Sequence, residues 1–319
     1  MTFLRRYIWL VLGLVLFAII ASQLSWSDTF ATLSQLTFTA IAILIVANFL
    51  ALLPMFGRWW VILRAQGYLV PFWDLARYSL GSFAISYITP GPQFGGEPFQ
   101  VIQLQRNHDV PLSTATASVT IEKVLMLFTN LLFLVPGVFL VIQNQLFSSA
   151  DILWGLAPTL AAFLLLASLM AAWGLGRKPL SLVFGRMWPD RSFTTGLLQT
   201  EFEIATFCQD HPRAILVATW WASFNWILLA IEYWLMARFL GIDISWVQGL
   251  MMLTVFRLAL LMPIPAGLGA VEGGHIWILG VMGFTPAAEL ALSLSLLIRF
   301  RDIVLTAIGL WWAGKFRQN

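Results

Sequence analysis

Six apolar runs, at 7–25, 37–57, 112–142, 152–176, 213–237 and 287–314, dictate what this chain can fold into. About twenty apolar residues in a helix cross the roughly 30 Å of hydrocarbon in a bilayer. Of the 319 residues, 60% are hydrophobic and 10% are charged, where a soluble domain carries about 25% charged residues. The chain is therefore read as an all-α polytopic membrane protein, because a helix satisfies its own backbone polar groups inside lipid. Long unbroken runs exclude the alternating strands of an outer-membrane barrel. The single cysteine, Cys208, excludes an internal disulfide, and no C-x-x-C pair is present. Arg5 and Arg6 precede the apolar run from Tyr7 to Ala21, as in a signal peptide. No A-x-A cleavage site follows, so this segment is expected to remain as an uncleaved first helix.

Two further apolar regions, about 78–105 and 246–284, are interrupted by TPGPQFGGEP at Thr89–Pro98 and PIPAGLGAVEG at Pro263–Gly273. Proline and glycine break helices, and a carboxylate in hydrocarbon is costly. Pro90, Pro92, Gly95 and Gly96 mark one break and Pro263, Pro265, Gly267 and Gly269 the other. Each region reads as a re-entrant or broken helical hairpin whose backbone must line protein or a water-filled cavity.

With the N-terminus in the cytoplasm, the inner segments collect Arg5, Arg6, Arg58, Arg64, Arg77, Arg106, Arg177, Lys178, Arg186, Arg191, Arg213, Lys315 and Arg317. That is 13 of the 18 lysines and arginines, the asymmetry expected of cytoplasmic loops. The outer loops keep Arg238, and both termini fall inside. The pairs Trp59–Trp60, Trp220–Trp221 and Trp311–Trp312 are expected at the inner interface. Residues 177–213 form a basic cytoplasmic loop, and Phe193–Phe207 within it has the spacing of an amphipathic helix lying on the inner leaflet.

The order span, span, hairpin, span occurs in 1–145 and again in 150–316, with the hairpins entering from opposite sides. This is an inverted-topology repeat within one transmembrane domain, a pattern that in transporters places the binding site at the repeat interface. Both halves set acid beside base on the span after the hairpin: Glu122 and Lys123 in the first, Arg299, Arg301 and Asp302 in the second.

Glu97 and Glu272 each follow glycines at the start of a half-helix, where the helix dipole favours a carboxylate. Capping alone would account for that position, though not for a break inside the membrane. Arg257 and Arg299 are the costliest residues, because an arginine at the bilayer centre costs at least about 2.5 kcal/mol and needs a partner or water. Glu97, Glu272, Glu122 and Asp302 are the acids available to them. Structural ion pairing between helices is one reading of these charges. The other is a polar cavity in which arginine holds a phosphate by paired hydrogen bonds. Glu232, Arg238 and Glu289 are expected near interfaces. Glu272 and His275 share a helix face, but one such pair without a second ligand set gives no metal site. No nucleotide-binding loop, nucleophile elbow or nucleic-acid patch is present, and no cofactor is expected.

At these residues the chain resembles the YbhN/UPF0104-type flippase-like membrane proteins, which share their fold with the transmembrane flippase domain of lysylphosphatidylglycerol synthases. The resemblance rests on Pro90–Glu97, Glu122–Lys123, Pro263–Glu272 and Arg299, and covers nearly the whole chain. Lys123 stands where the family often has arginine, and Met126 where it often has aspartate. The resemblance implies an inner-membrane protein that moves lipids or lipid-linked headgroups between leaflets. A chain ending at Asn319 is expected to carry no aminoacyl-transferase domain, and so no synthase activity.

The expected function is a lipid flippase or transporter working by alternating access on anionic membrane lipids, and not an enzyme. Arg257 and Arg299 would hold the headgroup, with Glu97 and Glu272 as gates, counter-charges or proton carriers, and Glu122, Lys123 and Asp302 as further binding or gating residues. The alternatives are an intramembrane lipid-modifying transferase and a non-catalytic subunit of an envelope-synthesis complex.

Overall fold

The structure, a computed structural model, describes residues 26–89, 95–143, 149–187, 192–262 and 264–315. The first expected span, both chain ends, and Pro90, Pro92 and Pro263 lie outside the described residues. Twelve α-helices and one short 3-10 turn, with no strand, make up the described fold. They are α1 (Trp26–Ser34), α2 (Phe38–Ala65), α3 (Phe72–Ile88), α4 (Glu97–His108), α5 (Leu112–Gln143), α6 (Ser149–Gly174), α7 (Pro179–Met187), α8 (Ser192–Asp210), α9 (Pro212–Phe239), α10 (Trp246–Leu260), the 3-10 turn (Pro265–Gly267), α11 (Ala270–Val281) and α12 (Ala287–Lys315).

Among the described residues four helical stretches are long and apolar enough to cross a membrane: Phe38–Ala65, Leu112–Gln143, Ala157–Gly174 and Pro212–Phe239, with mean hydropathy between 1.7 and 2.4. At 1.5 Å per residue, 28 residues reach about 42 Å, more than the hydrocarbon requires. The last expected span forms one helix of 29 residues, α12, with Arg299, Arg301 and Asp302 along it. Large apolar side chains remain on the outside of these helices, among them Phe38, Ile45, Leu165, Leu216 and Phe300. A belt of that kind suits hydrocarbon and not water.

The proline-glycine regions are broken helices, as expected. In the first, α3 has 17 residues and α4 has 12; in the second, α10 has 15 and α11 has 12. A 12-residue helix is about 18 Å long, so α4 and α11 are too short to cross alone. The backbone at the second tip is left-handed at Ala266, Gly267 and Gly269, which continues no helix. At the first tip Gly96 lies so close to Ser82 that a Cβ there would overlap the Ser82 carbonyl oxygen. That contact brings α4 back against α3.

Helices α2 and α9 run antiparallel against each other. Asn48 of α2 meets Glu232 of α9, Ala51 meets Asn225 and Gly57 meets Trp221. The Asn225 side-chain amide donates to the Ala51 carbonyl at 2.6 Å. Near that oxygen lies Pro54, inside α2; a helical proline leaves the carbonyl four residues back without its usual donor. For Pro54 that carbonyl is Leu50, one residue from Ala51.

Two expectations need correction. Helix α8 forms where the amphipathic spacing places it, but its apolar face is turned onto protein. Ile204, Ala205 and Phe207 are buried against Ile62, Ile121, Leu125 and Trp173. Glu201, also buried, accepts from the backbone N–H of Leu180 at 2.9 Å and from the Trp173 indole at 3.0 Å, capping the start of α7. Trp59 is likewise no interface anchor: it is fully buried, and its indole donates to Ser118 Oγ at 3.3 Å. Adjacent residues on a helix point about 100° apart, so one member of each tryptophan pair can face lipid while the other turns inward. Trp220 and Trp311 are the outward members of theirs.

Candidate functional site

The two glutamates at the hairpin tips are held alike. Glu97 begins α4, and its Oε2 accepts from the backbone N–H of Gly95 at 2.7 Å. Glu272, in the first turn of α11, accepts at Oε2 from Gly269 N–H at 2.8 Å. Each carboxylate thus ties its own tip and sits where the helix dipole favours negative charge. The other oxygen of each faces a cation from the long helix that follows. Lys123 of α5 lies 26 positions after Glu97, and Arg299 of α12 lies 27 after Glu272.

The two pairs differ in tightness. Arg299 donates from Nε to Glu272 Oε1 at 2.6 Å, and from Nη1 to the Ala266 carbonyl at 3.2 Å. Glu272 is fully buried and Arg299 nearly so. The guanidinium therefore fastens both the carboxylate and the left-handed backbone of the second tip. Lys123 Nζ stands 3.5 Å from Glu97 Oε1 and 3.8 Å from Glu122 Oε2, beyond hydrogen-bond length to either. Both of those oxygens are buried without a hydrogen-bond donor.

Glu122 brings in a residue that sequence reasoning assigned to the cytoplasmic side. Arg58 is buried near the end of α2 and donates from Nε to Glu122 Oε1 at 2.8 Å. The apolar run ends at 57, but the helix continues to Ala65, so Arg58 enters the interior on the same face as the core. Arg58, Glu122, Lys123 and Glu97 form one chain of alternating charge that sums to zero.

A third cluster lies on α12. Arg301 bonds its neighbour Asp302 at 2.8 Å and reaches Glu232 of α9 at 3.1 Å. Glu232, expected near an interface from its place towards the end of a span, is fully buried in protein and also accepts from Asn48 at 3.0 Å. Arg58 and Glu232 each lie 20 residues beyond the first residue of a 28-residue helix. Arg238, also expected near an interface, is exposed and pairs with Asp243.

Arg257 finds none of the four acids proposed for it. Its guanidinium carbon lies 4.5 Å over the ring of Trp226, and its buried Nε has no hydrogen-bond partner among the described residues. Cation–π attraction replaces the ion pair there. His275 is buried between Tyr233, whose hydroxyl is 2.7 Å from Nε2, and Ser295, whose hydroxyl is 2.8 Å from Nδ1. Both ring nitrogens are therefore occupied, and among the described residues no group of three metal-ligating side chains converges.

Glu97 and Lys123 line a cavity of about 550 Å³ between α4 and α5, whose remaining walls include Val101, Ile102, Val119 and Leu127. It is an apolar recess with one acid and one base on its wall. Such a recess accommodates an amphipath better than a free polar solute.

These features coincide with a family match. The model of the lysylphosphatidylglycerol synthase transmembrane region matches residues 7–309. The chain belongs to that family. It is also similar, at 24% identity over 263 residues, to a UPF0104 membrane protein of Methanocaldococcus jannaschii, covering 79% of this chain and 77% of the relative. The family's match takes in both hairpins and all three charge clusters, so these stand on a membrane-embedded scaffold. It is the membrane region of the synthases that the chain matches, as expected from its motifs.

Proposed function

We propose that this family member is a lipid flippase or transporter of the cytoplasmic membrane, moving an anionic phospholipid or lipid-linked headgroup between leaflets by alternating access. In this reading the long helices and two re-entrant hairpins form an inverted repeat of 1–145 and 150–316, with both termini and the 177–213 loop in the cytoplasm. The matched lengths of α2 and α9 support the repeat, as do the equal stations of Arg58 and Glu232 on them. The observation that carries the proposal is that each hairpin tip presents a glutamate to a cation from the next long helix.

A phosphate competes with a carboxylate for the same donors, and a guanidinium offers two parallel N–H groups to either. An incoming headgroup would take Lys123 from Glu97, or Arg299 from Glu272, and so loosen one tip while the other remains tied. Arg257, with no carboxylate to displace, would attract the headgroup between those states. Asp302 and Glu122 hold the neighbouring Arg301 and Arg58 in place as fixed counter-charges. Acyl chains would stay against the apolar walls and the surrounding bilayer.

Mass spectrometry of lipids retained by the purified protein tests this reading. Wild type is expected to carry anionic lipid, and Arg299→Ala together with Arg257→Ala to lose most of it. Equal retention by wild type and the double variant would overturn the assignment of these arginines to a headgroup.

A further inference from the structure

A second cavity, of about 660 Å³, runs between α2, α3, α9 and α12, away from the hairpin tips. Its walls are hydrocarbon for almost their whole extent, Leu44, Ile45 and Phe49 on one side and Val304, Leu305 and Ile308 on the other. Three polar residues interrupt them: Asn48, Glu232 and Arg301. Their hydrogen bonds converge on one atom. Asn48 Nδ2 and Arg301 Nη1 both donate to Glu232 Oε1, at 3.0 and 3.1 Å. Glu232 Oε2 is buried and receives no donor. A buried carboxylate oxygen without a donor is costly, more so where the surroundings are hydrocarbon.

The missing donor has a definable chemistry. Asp302 and Arg301 balance each other, and Arg257 is near enough to act on Glu232 electrostatically. The four charges sum to zero, so an added ammonium would leave a net positive charge in an apolar place. A hydroxyl supplies the hydrogen bond and adds no charge.

We propose that this groove is a lipid-binding subsite whose occupant is a neutral hydroxyl-bearing lipid. Its hydrocarbon chain lies along Leu44, Ile45 and Leu305, and its hydroxyl donates to Glu232 Oε2. The proposal rests on the lipid-handling reading above and adds a second place of contact, separate from Arg299 and the tips.

The test uses the full chain in detergent, with mono-oleoylglycerol and its di-O-methyl ether as probes in native mass spectrometry. Wild type is expected to bind the hydroxyl lipid about tenfold more tightly than the ether, a difference of about 1.4 kcal/mol. Glu232→Gln keeps a carbonyl for Asn48 and Arg301 but puts an amide donor in place of the Oε2 acceptor, and should bring the two probes within twofold. Ile45→Trp, at an exposed position on the groove wall, should weaken both probes by obstructing the groove. Glu232→Gln should leave the anionic lipid carried by the wild-type protein unchanged, which separates this subsite from the headgroup site at the tips. Equal binding of alcohol and ether by wild type, or full binding by Ile45→Trp, would overturn the proposal.

Discussion

Arg299 donates to Glu272 at 2.6 Å and to the carbonyl of Ala266 at 3.2 Å, so one side chain on the last long helix secures the tip of the second hairpin. Removing it leaves a fully buried carboxylate with a single backbone donor, Gly269.

Breaking a buried pair from one side costs about 3–5 kcal/mol, because the remaining charge stays behind unpaired. Arg299→Ala is expected to lower stability by that order, and Arg299→Ala with Glu272→Gln to recover more than half of it. Thermal unfolding in a fixed detergent, read against wild type, gives the comparison. A double variant as unstable as the single one would show that the pair is not the source of the loss.

The Arg58–Glu122 pair should behave more mildly. Lys123 remains 3.8 Å from Glu122 when Arg58 is gone, so part of the charge is still answered. Arg58→Met is expected to cost about 2–3 kcal/mol, below the range for a wholly abandoned charge. Adding Lys123→Met should bring the loss to that full range, a coupling that a double-mutant cycle of unfolding free energies measures directly.

Gly96 permits α4 to fold back onto α3. A methyl group there would meet the Ser82 carbonyl oxygen, which is backbone and cannot rotate away. Gly96→Ala is expected to destabilise the hairpin by about 1–3 kcal/mol and to increase proteolytic cleavage near the tip. Gly174→Ala, where a Cβ meets nothing within 4 Å, is the matched control and should be close to wild type.

Cys208 offers a pH test outside the spans. Burial pushes its thiol up to about 11 from an ordinary value of 9.0. The folded thiol therefore stays protonated where the unfolded one ionises. Its contribution to stability is complete below pH 9 and is lost as pH rises toward 11. Alkylation by iodoacetamide at pH 9 should accordingly be several-fold slower in the native protein than in denaturant. Equal rates would mean that the α8 face carrying Cys208 is open to solvent.

Much of the architecture was legible because apolar length and helix-breaking residues act locally. The run 112–142 became α5 at Leu112–Gln143, and the two proline-glycine stretches became breaks flanked by half-helices. The opposition of Glu272 and Arg299 was also within reach, since few acids were available to pair an arginine in hydrocarbon. What failed depended on packing between distant helices. Arg58 lies one residue past an apolar run, and nothing local tells that its helix carries it inward to Glu122. Glu232 looked interfacial by its place near a helix end, yet the antiparallel crossing with α2 buries it beside Asn48. Arg257 was expected to need an acid and found Trp226 instead, a partner that charge counting does not consider. The apolar face of α8 suited a membrane surface as well as a protein core, and spacing alone does not tell the two apart.

Lipid movement in reconstituted liposomes decides whether the protein carries lipid between leaflets. The measurement is the loss of fluorescence, on adding a membrane-impermeant reductant, from a labelled anionic phospholipid placed in both leaflets. Wild type is expected to expose nearly all of the label, and Lys123→Ala with Arg299→Ala to expose only the outer half, as protein-free liposomes do. Bleaching by folded wild-type protein that stops at the outer leaflet would contradict the account.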